Sequence, residues 1–190
     1  MNDDVPERLL DPRAVAPLTP DAALEHVRLH ALAASDLLDK PDEPALDRLT
    51  AWAKTYFDVP ASAISLISAN RQSLKSAAGP ANRETTRAQS FCQYVVQDRK
   101  PVVIEDASTH PRVADHPAVL GAPFVRAYAG APLSTADGFV LGAFCVFDVK
   151  PRTFTPEQLG VLSALARVAS GYVDLHESLA RAAWTGPKPG

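Results

Sequence analysis

The chain has 190 residues, of which 46% are hydrophobic and 22% charged, enough for one domain with a substantial core. Its 19 Lys+Arg against 22 Asp+Glu leave a net charge of −3, without the basic excess of a nucleic-acid reader. Cys92 and Cys145 are too few for a disulfide framework, no basic leader opens the chain, and no apolar run approaches the roughly 20 residues of a membrane span, so a soluble, cytoplasmic protein is expected.

Residues 1–18, acidic and then proline-bearing, read as a flexible arm. Thr19-Pro20-Asp21 combines an N-cap residue, a first-turn proline and an acid at the positive end of the helix dipole. That predicts a helix over 20–38, with Ser35-Asp36 as a candidate break. Asp42-Glu43-Pro44 opens a second helix through Phe57, with Leu46, Leu49, Ala53 and Tyr56 along one face. Val59-Pro60 ends it.

Runs 61–67 and 73–78, joined by Asn70-Arg71-Gln72, predict a hairpin closed by Gly79-Pro80. Residues 81–88 are polar and read as loop. Ser90-Phe91-Cys92-Gln93 has capping-box spacing and predicts a two-turn helix over 91–99, stopped by Pro101. Val102-Val103-Ile104 is a short strand. The segment 106–126, with three prolines, is irregular and leaves room for one helical turn at 115–120.

Residues 127–134 and 139–148 flank Thr135-Ala136-Asp137-Gly138, a hairpin whose first strand carries Pro132, a bulge signal. Thr155-Pro156-Glu157-Gln158 is a second capping box. It opens a helix to about Ala183 with Leu159, Leu162, Ala166, Ala169 and Val173 as its core face. Residues 184–190 form a flexible tail, leaving a single domain over 19–183. The expected class is α+β: a central antiparallel sheet of five or six strands, long terminal helices on one face, and the short helix and long loops on the other.

These segments resemble a GAF domain, in particular the sensor modules of bacterial histidine kinases and diguanylate cyclases. The resemblance is carried by Leu46-Asp47-Arg48-Leu49, Ile64-Ser65-Leu66-Ile67, Asn70-Arg71-Gln72-Ser73-Leu74, Ser90-Phe91-Cys92 and Val103-Ile104-Glu105-Asp106-Ala107. His110-Pro111-Arg112-Val113 adds to it. The densest stretch is Arg126-Ala127-Tyr128-Ala129-Gly130-Ala131-Pro132-Leu133, with Leu141-Gly142-Ala143-Phe144-Cys145-Val146. It implies a sensory fold without naming a ligand. Cys92 is followed by Gln93 rather than His, and no histidine sits in a convincing core position, so neither a covalent bilin nor haem is expected.

No Gly-rich phosphate loop, His-Glu-x-x-His or Gly-x-Ser-x-Gly is present. His26 and His30 stand four apart on the first helix, but with no third ligand signalled they read as a solvated face, and no metal site is expected. Behind an N-cap Ser90, Cys92 is the second helical residue, where the dipole favours a thiolate, but the favoured reading is a small buried hydrophobe. Cys145 reads as strand core, and Cys92 is expected to label faster. Asp106, His110, Arg112, Asp115, His116 and Arg126 decorate the long loop, either over a pocket or as turn and ion-pair residues, with Arg126 available to Asp106. Phe91 and Tyr128 are placed on the pocket floor, which Ala127, Ala129, Ala131 and Ala143 keep open.

The leading expectation is a non-enzymatic sensor. It binds an unidentified small molecule between the sheet and the 84–128 region through Phe91, Cys92, Asp106, Arg126 and Tyr128. It pairs as a homodimer through its terminal helices and signals in trans, since no output segment follows Ala183. One alternative is a thiol enzyme similar to free-methionine sulfoxide reductases, with Cys92 as nucleophile. Another is a ligand-free dimerisation scaffold.

Overall fold

The computed structural model describes residues 20–38 and 43–183. The arm, the tail, the Thr19 cap and Asp42 lie outside them. Helix α1 (Pro20–Ala34) ends four residues short of the expected stop. Ser35 Oγ bonds the Leu32 carbonyl, and Asp36 adopts φ +54°, a left-handed residue that terminates the turn. Helix α2 (Pro44–Phe57) begins on a first-turn proline and buries Leu46, Thr50, Ala53 and Phe57. Of the expected face, Leu49 is half-buried and Tyr56 exposed, because the stripe centres on residues 46, 50, 53 and 57.

Strands β1 (Ala61–Ile67) and β2 (Arg71–Ala78) form the first hairpin, with a register shift at Ile64/Ser65. Residues 84–86 are a third strand, β3 (Glu84–Thr86), where the sequence reads as loop. Glu-Thr-Thr carries no apolar alternation; as a polar edge strand it is held by its pairing to β2 and by an Arg71–Glu84 ion pair at 2.9 Å. One turn of 3-10 helix (Arg87–Gln89) leads into α3 (Cys92–Asp98), which ends at a left-handed Arg99. Strand β4 (Val102–Ile104), the one-turn α4 (Pro117–Leu120), strands β5 (Ala127–Ser134) and β6 (Val140–Asp148), and α5 (Pro156–Ala183) follow in the expected order. The bulge falls at Leu133/Ser134, one residue past Pro132, which still faces Ala143. The capping box of α5 forms: Thr155 N donates to Gln158 Oε1 and Gln158 N to Thr155 Oγ1.

The result is one antiparallel six-stranded sheet, ordered β3-β2-β1-β6-β5-β4. Its two faces bury separate cores. Helices α2 and α5 cover one face, where Phe57, Ile64, Leu66, Phe144, Leu162 and Val173 pack. On the other, Phe91, Cys92, Val95, Ile104, Val119, Tyr128 and Cys145 pack under α3 and the long loop. Alternation along a strand decides which residue faces which layer. Ala127, Ala129 and Ala131 therefore lie on the helix face, in contact with the α5 core, and are not part of a pocket floor. The face they share cannot also hold Tyr128. Among the described residues no helix is long and apolar enough to cross a membrane.

Candidate functional site

The loop-side layer encloses a cavity of about 150 Å³, comparable to one that accommodates a benzene-sized molecule. Ala63, Leu74, Phe91, Tyr128, Cys145 and Phe147 supply its apolar wall; Gln72, Thr85 and Gln89 supply polar edges. No Asp, Glu, Lys or Arg is among its lining residues. Gln72 is fixed from two sides. Its Nε2 donates to Thr85 Oγ1 at 3.2 Å, and Ser90 Oγ donates to its Oε1.

Ser90 is therefore not the cap of α3. Phe91 occupies that position without a side-chain cap, and Gln93 donates to the Ala88 carbonyl instead of reaching back. Cys92 becomes the first residue of a seven-residue helix, and its chemistry is set by neighbours across the cavity. Its Sγ lies 3.6 Å from Cys145 Sγ and accepts a hydrogen bond from Tyr128 Oη at 3.3 Å. Both thiols are free and buried. The hydrogen bond between the sulfurs holds the Cys92 thiol below its ordinary range; burial opposes this, and the hydroxyls of Ser65, Tyr128 and Ser90 reinforce it. That same bond, burial and the Cys92 charge push Cys145 up. Burial likewise raises Tyr128, which stays protonated as a donor.

The cluster exists because of strand register. Gly130 pairs with Cys145 across β5–β6, and Ala63 pairs with Cys145 across β1–β6. Tyr128 shares a face with Gly130, and its side chain lies along that face: a Cβ on Gly130 would sit 2.2 Å from Tyr128 Oη. The missing side chain is what lets the phenol reach the thiols. Phe91 packs beside the Tyr128 ring, with centroids 5.5 Å apart.

Of the residues expected at the site, the structure brings Phe91, Cys92 and Tyr128 to the cavity and leaves Asp106 and Arg126 off its wall. Asp106 closes its own turn, accepting from Ser108 N at 3.0 Å and Ser108 Oγ at 2.6 Å. Arg126 gives its guanidinium to the Val119 and Val125 carbonyls rather than to Asp106, bracing α4 against β5. Arg112 pairs with Asp98 at 2.7 Å and stacks over Tyr94; His110 and Asp115 stay in the turns. His116 caps α4, its Nδ1 accepting from Ala118 N at 3.1 Å, with its ring 4.6 Å from Phe91. Its Nε2 is buried without a hydrogen-bond partner among the described residues, and burial lowers its pKa. His26 and His30 are exposed. The residues the sequence did not single out are Gly130, Gln72 and Ala63. Folding the second hairpin about Asp137-Gly138 pairs 130 with 145 and is the signal that finds the first.

The GAF domain family model matches residues 43–173. The chain belongs to the GAF domain family. It is 38% identical over 128 residues to a cyclic di-GMP phosphodiesterase of Pseudomonas aeruginosa, a match covering 67% of this chain. It spans only 22% of that relative's length. The GAF domain of an Acinetobacter phosphoenolpyruvate-protein phosphotransferase superposes with a TM-score of 0.61 at 18% identity, over 82% of this chain and 98% of that one. A free methionine-R-sulfoxide reductase from Neisseria meningitidis, solved with its substrate, gives 0.58 at 22% identity, covering 87% and 95%. At these identities the two structures share the fold. The GAF fold, a signalling and sensory module, is thus present here with the sheet and helix layers that the sequence implied.

Proposed function

We propose that this chain is a sensory GAF module that takes a small, uncharged, largely apolar molecule into the Phe91–Tyr128 cavity. The observation that carries this reading is the cavity's lining: apolar walls, amide and hydroxyl edges, and no carboxylate, ammonium or guanidinium side chain. A zwitterion or a dinucleotide would leave its charges unpaired there, at a cost of several kcal/mol. This separates the ligand class from the substrate of a free-amino-acid reductase and from cyclic di-GMP.

The cavity abuts β5 and β6, and α5 packs on β5 and β6 from the opposite face. A ligand that shifts those strands therefore acts on the terminal helix. Val168, Leu175 and Leu179 stand exposed on α5 at seven- and four-residue spacing, an apolar stripe suited to the same helix of a second copy. The homodimer so formed would pass the signal in trans to a signalling protein.

Native mass spectrometry of the purified protein tests the reading. The expected spectrum shows a dimer carrying a small neutral molecule, and loss of that molecule in Ala63→Leu, which fills the cavity from β1. A protein that retains no molecule, and whose melting is unmoved by a panel of small uncharged aromatic and aliphatic compounds, overturns it.

A further inference from the structure

We propose that Cys92 and Cys145 form a cavity-facing dithiol centre that reduces small hydroperoxides, with Cys92 as the attacking sulfur and Cys145 as the resolving one. This adds an activity to the cavity of the sensory reading, and rests on that cavity admitting small molecules.

Three observations carry it. The sulfurs lie 3.6 Å apart although 53 residues separate them in the chain, and they are held by different elements, α3 and β6. Both residues line the cavity, so the pair is buried from proteins yet open to whatever enters. Cys92 alone has a hydroxyl donor aimed at its sulfur, from Tyr128 at 3.3 Å, and the environment depresses its pKa while raising that of Cys145. That asymmetry assigns the roles: the more acidic thiol attacks, and the other follows.

The oxidant class follows from the walls. A cavity of about 150 Å³ excludes a protein disulfide or a charged tripeptide disulfide. A sulfoxide needs strong protonation of its oxygen, and burial makes the phenol at the sulfurs, Tyr128, a weaker acid than a free tyrosine. A hydroperoxide needs neither, since its O–O bond breaks on thiolate attack. In the first step the Cys92 sulfur bonds to the terminal peroxide oxygen as the O–O bond breaks. The alkoxide leaves and takes up the proton released by the Cys92 thiol, giving an alcohol and a Cys92 sulfenic acid. In the second step Cys145 attacks Cys92 Sγ, and the sulfenic hydroxyl departs with the Cys145 proton as water. The peroxide is reduced by two electrons and the dithiol oxidised by two; a small dithiol reductant restores the pair.

The test treats the full-length reduced protein with hydrogen peroxide or tert-butyl hydroperoxide, then denatures and alkylates it. Wild type is expected to lose both alkylatable thiols together, as an intramolecular disulfide that dithiothreitol reverses. Cys145→Ser is expected to stop at a Cys92 sulfenic acid trapped by dimedone, and Cys92→Ser to react no faster than free cysteine. Tyr128→Phe should slow the first step about fivefold, the factor one hydrogen bond carries, and raise the pH at which Cys92 alkylates. Independent, slow loss of the two thiols, or a Cys92→Ser variant as fast as wild type, overturns the proposal. Hydrogen peroxide needs no ligand-sized room, so retained peroxide chemistry with no retained ligand and no melting shift in the compound panel would sink the sensory reading alone. Bound ligand with inert thiols would sink this one.

Discussion

Replacing Gly130 by alanine isolates the feature on which the cavity chemistry depends. The added Cβ would sit 2.2 Å from Tyr128 Oη, 2.7 Å from Cζ and 3.0 Å from Cε1, so the ring must leave its place along β5. It has little room: Tyr128 is 2% exposed and Phe91 stands beside it at 5.5 Å between centroids. The ring therefore swings into the cavity, and the 3.3 Å bond to Cys92 breaks. Overpacking of this kind costs about 1–3 kcal/mol and a lost hydrogen bond about 1 kcal/mol. Relief of glycine's backbone entropy in a strand returns roughly 0.5–1 kcal/mol. The net expectation is a destabilisation of about 1–3 kcal/mol, read as a lower urea midpoint at unchanged slope. The second readout is the Cys92 titration, followed by thiolate absorbance, which should move upward once Tyr128 no longer donates. Tyr128→Phe should reproduce the thiol shift with less loss of stability, and the double variant should fall short of additivity because the phenol is the shared partner. A Gly130→Ala protein with wild-type midpoint and wild-type thiol titration would refute the placement of Tyr128 and with it the donor role.

Gly142→Ala should be worse, about 3 kcal/mol or more. Its Cβ would meet the Ser65 backbone oxygen at 1.8 Å, and backbone cannot rotate away as a side chain can; thermal melting checks it. Glu25 bridges Arg28 at 2.7 Å and Arg87. Burial would raise its carboxyl, but the two guanidiniums more than offset this and lower it from 4.5 to about 2. A depressed acid contributes stability that is full above pH 4.5 and lost as pH falls toward 2, so Glu25→Gln should cost roughly 1 kcal/mol at neutral pH and flatten the acid limb of a stability profile. His116, neutral and depressed below 6.5 by burial, should make the protein lose stability as pH falls below 6.5, because the unfolded chain takes the proton first. His116→Asn, which can keep the α4 cap, should remove that slope in urea titrations across the same range.

Local signals placed nearly every element, since each depends on neighbours in sequence: the Thr155–Gln158 box on α5, Pro44 opening α2, Asp137-Gly138 turning the second hairpin. The misreadings came where a side chain had a better partner far away. Ser90 has the spacing of a capping box, yet Gln72, brought alongside by β2, takes its hydroxyl. Strand β3 has no apolar pattern because it lies at a polar edge, and only its pairing to β2 defines it. The sequence leaves Arg126 free to meet Asp106, but its guanidinium donates to the Val119 and Val125 carbonyls.

The site was half legible for a related reason. Phe91, Cys92 and Tyr128 announce themselves as aromatic or thiol side chains, and parity along β5 already sends Tyr128 away from Ala127, Ala129 and Ala131. What turns a buried thiol into a pair is the β5–β6–β1 register, which sets Cys145 between Gly130 and Ala63. Both neighbours are small, so the space over the Cys145 thiol is filled by longer side chains that reach across it. From β5 that is the Tyr128 phenol, and from α3 it is Cys92. Enlarging either small neighbour should therefore disturb the same three atoms by different routes: Gly130→Ala through the phenol, Ala63→Leu by direct occupation of the cavity. If the two sulfurs and the phenol act as one unit, both variants must raise the Cys92 titration and slow its alkylation together. Separation of the two effects would mean that the cavity and the thiols answer to different parts of the fold.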